Sequence, residues 1–263
     1  MLAGVVAAVA VLGSSFPERL IYDFPSNWLR GGLPAAGLIA GDRGAMYGST
    51  VFGGTGACND IYPGCGTVFE LAPARGGFKQ TVVYDFQRNG DGAGPAELVR
   101  ERSGVLYGIT STRPQLLFRL TPSRSRYLES TLYRFSGVQE PSSQLTIGSR
   151  GALYGTDISF TTKHRMTYGM IFRFTPSSSG FREEILYDFQ DVSSGVSPRA
   201  PLLVDNSGTV YGATAFGGNT ASPDCIQRGC GTIFKLSPSA TGYRLETLYR
   251  FSGVNDGYVP SAL

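Results

Sequence analysis

Few side chains in this 263-residue sequence are equipped for catalysis. His164 is the single histidine, so a Ser-His-Asp triad would have one possible base, in a polar and loop-like segment. Asp23, Asp85 and Asp188 each stand between a tyrosine and a phenylalanine, and paired carboxylates are the equipment of glycoside hydrolases. Arginine takes the same position in two further copies of this motif, which is typical of a solvent-facing strand position. We therefore predict no catalytic residues.

The four cysteines, Cys58, Cys65, Cys225 and Cys230, form two close pairs, and each pair follows a Phe-Gly-Gly tripeptide. Four cysteines allow three pairings, of which one staple within each loop is favoured. Such a staple contributes about 2–3 kcal/mol and forms in an oxidising compartment. The spacings do not fit a zinc site, and His164 belongs to another part of the chain. We predict no metal and no cofactor.

The two cysteine-bearing loops also hold the polar side chains that we predict to bind a ligand. These are Asn59, Asp60 and Tyr62 in the first loop, and Asp224, Gln227 and Arg228 in the second. Amide, carboxylate and aromatic groups on a rigid loop suit an extracellular glycan or a protein partner. The acidic turns at 89–92 and 255–257 offer oxygen ligands for calcium, but the same residues are those that tight turns require.

The position of these loops in the fold follows from a repeat in the sequence. A Tyr-x-Phe marker recurs about every 50–60 residues, a period that indicates a repeat architecture. Between markers the chain repeats a Tyr-Gly dipeptide and a Thr-x-Phe-like motif, with apolar residues alternating at period 2, which predicts strands. The markers begin at Tyr22, Tyr84, Tyr133, Tyr187 and Tyr249. Four strands per unit predict an all-β propeller of four-stranded antiparallel blades.

We expect one domain over residues 16–263, after a signal-peptide remnant at 1–15. The repeat units are predicted at 22–83, 84–132, 133–186 and 187–248, with a partial unit at 249–263. The N-terminal strand, 16–24, has the character of an outermost strand, and 259–263 that of an innermost strand. The prediction is four full repeats plus a partial blade shared by the two termini.

The charge distribution and the hydropathy of the N-terminal residues limit the partners and the cellular location that we expect. Net charge is +3, from 23 basic and 20 acidic residues that are interspersed, so we expect no nucleic acid partner. The apolar N-terminal run is too short to span a membrane but resembles the core of a secretory signal. A secreted or cell-surface location without a transmembrane span is predicted.

Several recurring motifs together resemble the GloVer tandem repeat of exported bacterial choice-of-anchor proteins. They are Gly208–Thr214, Phe216–Gly218, Gly231–Pro238, Leu248–Gly253 and Asp256–Pro260. The resemblance covers residues 16–263 and implies a β-propeller-like array outside a bacterium. The family has no established catalytic residues that could be assigned to positions of this sequence. The function expected is a non-enzymatic binding module for a glycan or protein. The alternatives are an extracellular glycosidase or lyase acting on polysaccharide, and a purely structural array.

Overall fold

The computed structural model describes residues 20–24, 28–35, 37–58, 63–112, 114–124, 126–135, 141, 145–158, 168–178, 180–220, 225, 228–253 and 255–260. Within these ranges, 18 strands form four antiparallel sheets. Short 3-10 turns, Asp42–Gly44 and Ser149–Gly151, precede the strands Met46–Phe52 and Leu153–Asp157. The prediction of an all-β fold is confirmed.

Each sheet is a consecutive stretch of chain. Sheet 1 contains β1 (Gly32–Pro34), β2 (Ile39–Ala40), β3 (Met46–Phe52), β4 (Thr67–Ala74) and β5 (Gly77–Asp85). Sheet 2 contains β6 (Pro95–Arg100), β7 (Leu106–Thr110), β8 (Leu116–Pro122) and β9 (Tyr127–Arg134). Sheet 3 contains β10 (Thr146–Ile147), β11 (Leu153–Asp157), β12 (Met170–Ser177) and β13 (Gly180–Asp188). Sheet 4 contains β14 (Val196–Pro198), β15 (Leu203–Val204), β16 (Val210–Phe216), β17 (Thr232–Ser239) and β18 (Gly242–Arg250).

All four sheets have the strand order of a propeller blade: one inner strand, two middle strands and one outer strand. In sheets 1 and 4 the inner strand is broken into two pieces that both pair with the same middle strand. The marker tyrosine lies in the outer strand, so each sheet ends shortly after the Tyr-x-Phe motif begins.

Successive sheets pack face to face. Their outer strands make a continuous series of contacts, from β5 to β9, from β9 to β13 and from β13 to β18. A separate hydrophobic cluster fills each of the three gaps between sheets. Because the sheets between two neighbours are covered on both faces, Leu117 and Ile171 are fully buried, whereas the equivalent Ile233 of sheet 4 is half-buried.

The marker phenylalanines form the same contact at each of the three gaps, and Phe24 of the N-terminal segment forms it with sheet 1. Each ring packs edge to face against the phenylalanine ring of the Thr-x-Phe motif in the following sheet. Aromatic pairs prefer this arrangement. The centroid distances are 5.2 Å for Phe24–Phe69, 5.1 Å for Phe86–Phe118, 6.0 Å for Phe135–Phe172 and 5.6 Å for Phe189–Phe234. The last three pairs lie in the clusters between successive sheets.

A β-bulge corrects one detail of the strand pattern. The sequence alternation places Tyr243, Leu245, Thr247 and Tyr249 on one face of the last strand. In the structure the register shifts between Ile233 and Phe234, so Thr247 pairs with the phenylalanine and Tyr249 with the isoleucine. Since paired residues share a face, the tyrosine lies on the opposite face from the residues before it. The same shift occurs in the other three sheets.

Because of this bulge, an outer strand packs against two different sheets. The first half of the outer strand faces the preceding sheet, and the Tyr-x-Phe half faces the following one. Tyr133 accordingly donates a hydrogen bond of 2.6 Å to Glu183 in the next sheet, and Tyr22 one of 2.8 Å to Gln80.

The Tyr-Gly glycine makes room for the Thr-x-Phe ring. A Cβ built on Gly48, Gly108, Gly155 or Gly212 would lie 2.6, 2.5, 2.5 or 2.2 Å from the paired phenylalanine ring. No side chain fits at these distances, so this glycine is a packing requirement of the repeat.

The last described residues repeat a backbone contact made at the start of two other sheets. The Val259 N–H donates to the Cys230 carbonyl at 3.0 Å, just as Gly94, ahead of β6, donates to Cys65 and Ser197, within β14, donates to Tyr168. On the face of sheet 4 that would meet another sheet, Leu248 and Tyr249 are 47% and 45% exposed. Sharing of a blade by the two termini, and the number of blades, stay predictions.

Candidate functional site

The connections between strands divide into two faces. In an antiparallel sheet the turns from first to second and from third to fourth strand lie at one end, and the connection from second to third strand lies at the other. We call the first end the turn face and the second end the loop face. Both cysteine-bearing loops belong to the loop face.

Each loop is closed by its own disulfide. Cys58 bonds to Cys65 with a Cα–Cα distance of 5.1 Å, and Cys225 bonds to Cys230 with a distance of 4.8 Å. The predicted pairing is confirmed. Cys65 and Cys230 are each 1% exposed and sit at the foot of the loop, so both staples are anchored in the core.

The Phe-Gly-Gly tripeptides build the same platform beneath both staples. The first glycine of each donates its N–H across the loop, from Gly53 to the Pro63 carbonyl at 2.7 Å and from Gly217 to the Arg228 carbonyl at 2.6 Å. Both glycines have positive φ, 89° and 86°, which glycine adopts without strain. Identical platforms give the two loops the same orientation on their sheets.

Of the six predicted ligand-binding residues, the structure places Arg228, which is exposed beside the second staple. Asn59, Asp60, Tyr62, Asp224 and Gln227 lie outside the described residues, as does His164. Their role stays a prediction.

The carboxylates considered for hydrolysis are spread over different places. Asp23 is exposed near the N-terminus, whereas Asp85 is half-buried and accepts hydrogen bonds from the Thr55 N–H at 3.0 Å and hydroxyl at 2.7 Å, which fixes the first stapled loop. Asp188 lies in sheet 3, so the structure brings no two of the three together.

The acidic turns contain carboxylates with turn partners. Asp91 accepts from the Tyr84 hydroxyl at 3.0 Å and the Gln87 N–H at 3.0 Å. Asp256 accepts from the Tyr249 hydroxyl at 2.6 Å, and this bond, helped by the Ser252 N–H, lowers the pKa of Asp256 to about 2. The turn interpretation accounts for these contacts.

The turn face holds a site that the sequence did not reveal. A groove of about 570 Å³ lies between sheets 3 and 4, lined among others by Arg150, Tyr154, Arg173, Glu184 and Tyr243. Arg173 donates to the Glu184 carboxylate at 2.7 Å and to the Tyr243 hydroxyl at 3.1 Å. Burial, the largest single effect, lowers the pKa of Arg173, but the hydrogen bonds to Glu184 and Tyr154 and the nearby Glu184 charge together outweigh it, and the pKa is raised. The cation therefore stays charged in the groove.

In the sequence, the groove is marked by one position whose residue type differs from repeat to repeat. The residue paired with the Tyr-Gly tyrosine is Glu70, Arg119, Arg173 or Lys235 in the successive sheets. Sequence analysis treats such a position as a solvent-facing one, because its charge changes sign from copy to copy.

The sheets, their order and the repeated contacts define a β-propeller-like repeat array. The model of the Gloeobacter/Verrucomicrobia repeat family matches residues 115–263, more than half of the chain, and the chain belongs to this family. This confirms the resemblance found in the sequence. None of the curated proteins gives a sequence match.

Solved structures agree with this fold. The α-L-arabinofuranosidase of Fusarium graminearum, in complex with arabinobiose, has a TM-score of 0.54 at 12% identity, covering 92% of this chain and 72% of that one. The extracellular domain of a one-component system from B. thetaiotaomicron has a TM-score of 0.52 at 13% identity, covering 94% and 25%. A gluconolactonase from Xanthomonas campestris has a TM-score of 0.49 at 12% identity, covering 86% and 61%. The chain thus spans 61% and 25% of the first two matched chains.

Among the described residues, no helix is long and apolar enough to cross a membrane.

Proposed function

We propose that the protein is an exported, non-enzymatic binding module whose loop face recognises an extracellular glycan. The observation that carries the proposal is the matched pair of stapled loops, built on identical glycine platforms at the same connection of sheets 1 and 4. Propeller and other repeat scaffolds keep their binding functions on such loops, because the sheets below hold them rigidly.

The two staples also support export. Each closes a short ring, and a staple of this kind persists in an oxidising compartment. A rigid loop loses less conformational entropy on binding than a free one, which favours affinity.

A glycan is our choice of ligand over a protein for two reasons. The predicted loop residues combine amide, carboxylate and aromatic groups, which bind hydroxyl-rich ligands well. The arabinofuranosidase with the similar fold holds arabinobiose, so saccharides are the first ligands to test.

The test compares two triple variants on a polysaccharide and oligosaccharide array. One replaces Asn59, Asp60 and Tyr62 by alanine, and the other replaces Asp224, Gln227 and Arg228. We expect at least one to weaken binding about tenfold, since one or two lost hydrogen bonds to a ligand have that effect. Arg182→Ala, at an exposed site on β13, is the matched control and leaves binding unchanged.

Unchanged binding in both triple variants contradicts the proposal. So does catalysis: new reducing ends or unsaturated products, after incubation of the purified protein with the bound polysaccharide, establish the enzymatic alternative.

A further inference from the structure

Arg173 is a central residue of the groove on the turn face. Its guanidinium lies 6.0 Å from the ring centroid of Tyr154 in its own sheet and 5.8 Å from that of Tyr243 in the next. The cation thus contacts one ring of each sheet, and both tyrosines line the groove.

The equivalent places at the other two gaps are built differently. Between sheets 1 and 2 the residue at the Arg173 position is Glu70, which accepts a hydrogen bond of 3.0 Å from Tyr47, and the Arg100 guanidinium lies 5.7 Å from the centroid of that tyrosine ring. Between sheets 2 and 3 the rings of Tyr107 and Phe181 are 6.2 Å apart, edge to face. Among the gaps that the structure describes, the guanidinium in contact with one tyrosine ring of each sheet marks the third.

The groove pairs an acceptor with a donor. The Glu184 and Arg173 side chains are 38% and 25% exposed, so both present polar atoms to a ligand. One hydroxyl of a vicinal diol donates to such a carboxylate while its neighbour accepts from the guanidinium. Asn206 and Ser207, both exposed, add polar groups across the groove.

Size and charge agree with a saccharide. A volume of about 570 Å³ lies within the range of about 300–1,000 Å³ for small-molecule sites. Glu184 neutralises Arg173 at the centre of the groove, and the remaining cation of the lining, Arg150, is exposed and screened by solvent. Hydroxyl groups therefore match the centre of the groove better than carboxylates do.

From this geometry we propose that the groove is a second binding site, for a neutral oligosaccharide, on the face opposite the stapled loops. The site rests on its own residues, none of which belongs to the loop face.

The experiment is calorimetric titration of the folded protein with xylotriose, a neutral probe, and with trigalacturonic acid, an acidic one. We expect xylotriose to bind, and Arg173→Met to weaken that binding about tenfold, because it removes the guanidinium that donates hydrogen bonds in the groove. Asn206→Ala changes an exposed side chain without threatening the fold, and we expect a weakening of about threefold. Arg119→Met, at the same repeat position in sheet 2, is the matched control and retains full affinity.

Several results overturn the proposal. They are no heat of binding with xylotriose up to about 10 mM, tighter binding of trigalacturonic acid, or equal losses in the Arg173 and Arg119 variants. The triple loop variants separate the two proposals: if they alone abolish xylotriose binding, the groove is refuted and the loop face is supported. If xylotriose affinity persists in them and falls in the groove variants, the groove site stands whatever the loops bind.

Discussion

Gly212→Ala tests the reason given for the Tyr-Gly dipeptide. A Cβ at this position would lie 2.2 Å from Cζ of Phe234 and 2.9 Å from Cδ2 of Leu202. Phe234 is fully buried and its ring is held against Phe189, so neither group yields without disturbing the gap between sheets 3 and 4. Overpacking of this kind costs about 2–3 kcal/mol. With about 2–4 °C lost per kcal/mol in a chain of this size, the melting temperature should fall by about 5–10 °C.

The assay is urea unfolding followed by circular dichroism, with Gly37→Ala as the control. A Cβ on Gly37 meets nothing within 4 Å and its φ is not positive, so its free energy of unfolding should change by no more than about 0.5 kcal/mol. Phe234→Leu in the Gly212→Ala background shortens the clashing side chain, and the two changes should couple by about 1–2 kcal/mol. A loss below about 0.5 kcal/mol for Gly212→Ala, with no coupling, refutes the packing argument.

Four further changes test other parts of the structure. Phe189→Ala should cost about 3–5 kcal/mol, whereas Phe251→Ala, at the same position without a described sheet beyond it, should cost less than half as much in the same urea assay. Tyr133→Phe removes the hydroxyl that donates to Glu183, and we expect a loss of about 1.5–3 kcal/mol; a null result means that the 2.6 Å bond adds nothing. Reducing both disulfides should lower stability by about 2–3 kcal/mol for each ring closed, measured with and without a phosphine reductant. Burial raises the pKa of Glu97 above its ordinary value, so its protonated form stabilises the fold at low pH and that stability is lost as pH rises through the folded-state pKa. Glu97→Gln should therefore have a higher urea midpoint than the native protein at pH 7, with the difference vanishing near pH 4.

Regular spacing allowed much of the fold to be predicted from the sequence. The alternation Thr232, Phe234, Leu236 matches the buried positions of β17, and the cysteines pair within their loops as their positions suggested. Both features are local, because they depend on residues close together along the chain.

The bulge and the groove were missed because neither is local. A bulge changes the facing of Tyr249 by a register shift between strands, and period-2 counting along one strand carries no information about register. The groove depends on Arg173 meeting Tyr243, which lies in another sheet, and no pattern within a single strand reports that contact. Such a site follows from differences between copies, which a search for similarity among copies passes over.

The bulge also explains why the two faces of the array differ in their freedom to vary. Since each outer strand packs its first half on the preceding sheet and its Tyr-x-Phe half on the following one, its length and register are constrained at both gaps. The turns on the turn face join strands within that constraint, and they stay short. The loop-face connection leaves β3 or β16 beyond the last residue paired with the next strand and returns at the Thr-x-Phe motif, so its length can change while the strand pairing is kept. Insertions and disulfides at this connection therefore leave the pairing unchanged, whereas differences between copies on the turn face arise by substitution within a fixed frame, as at Arg173.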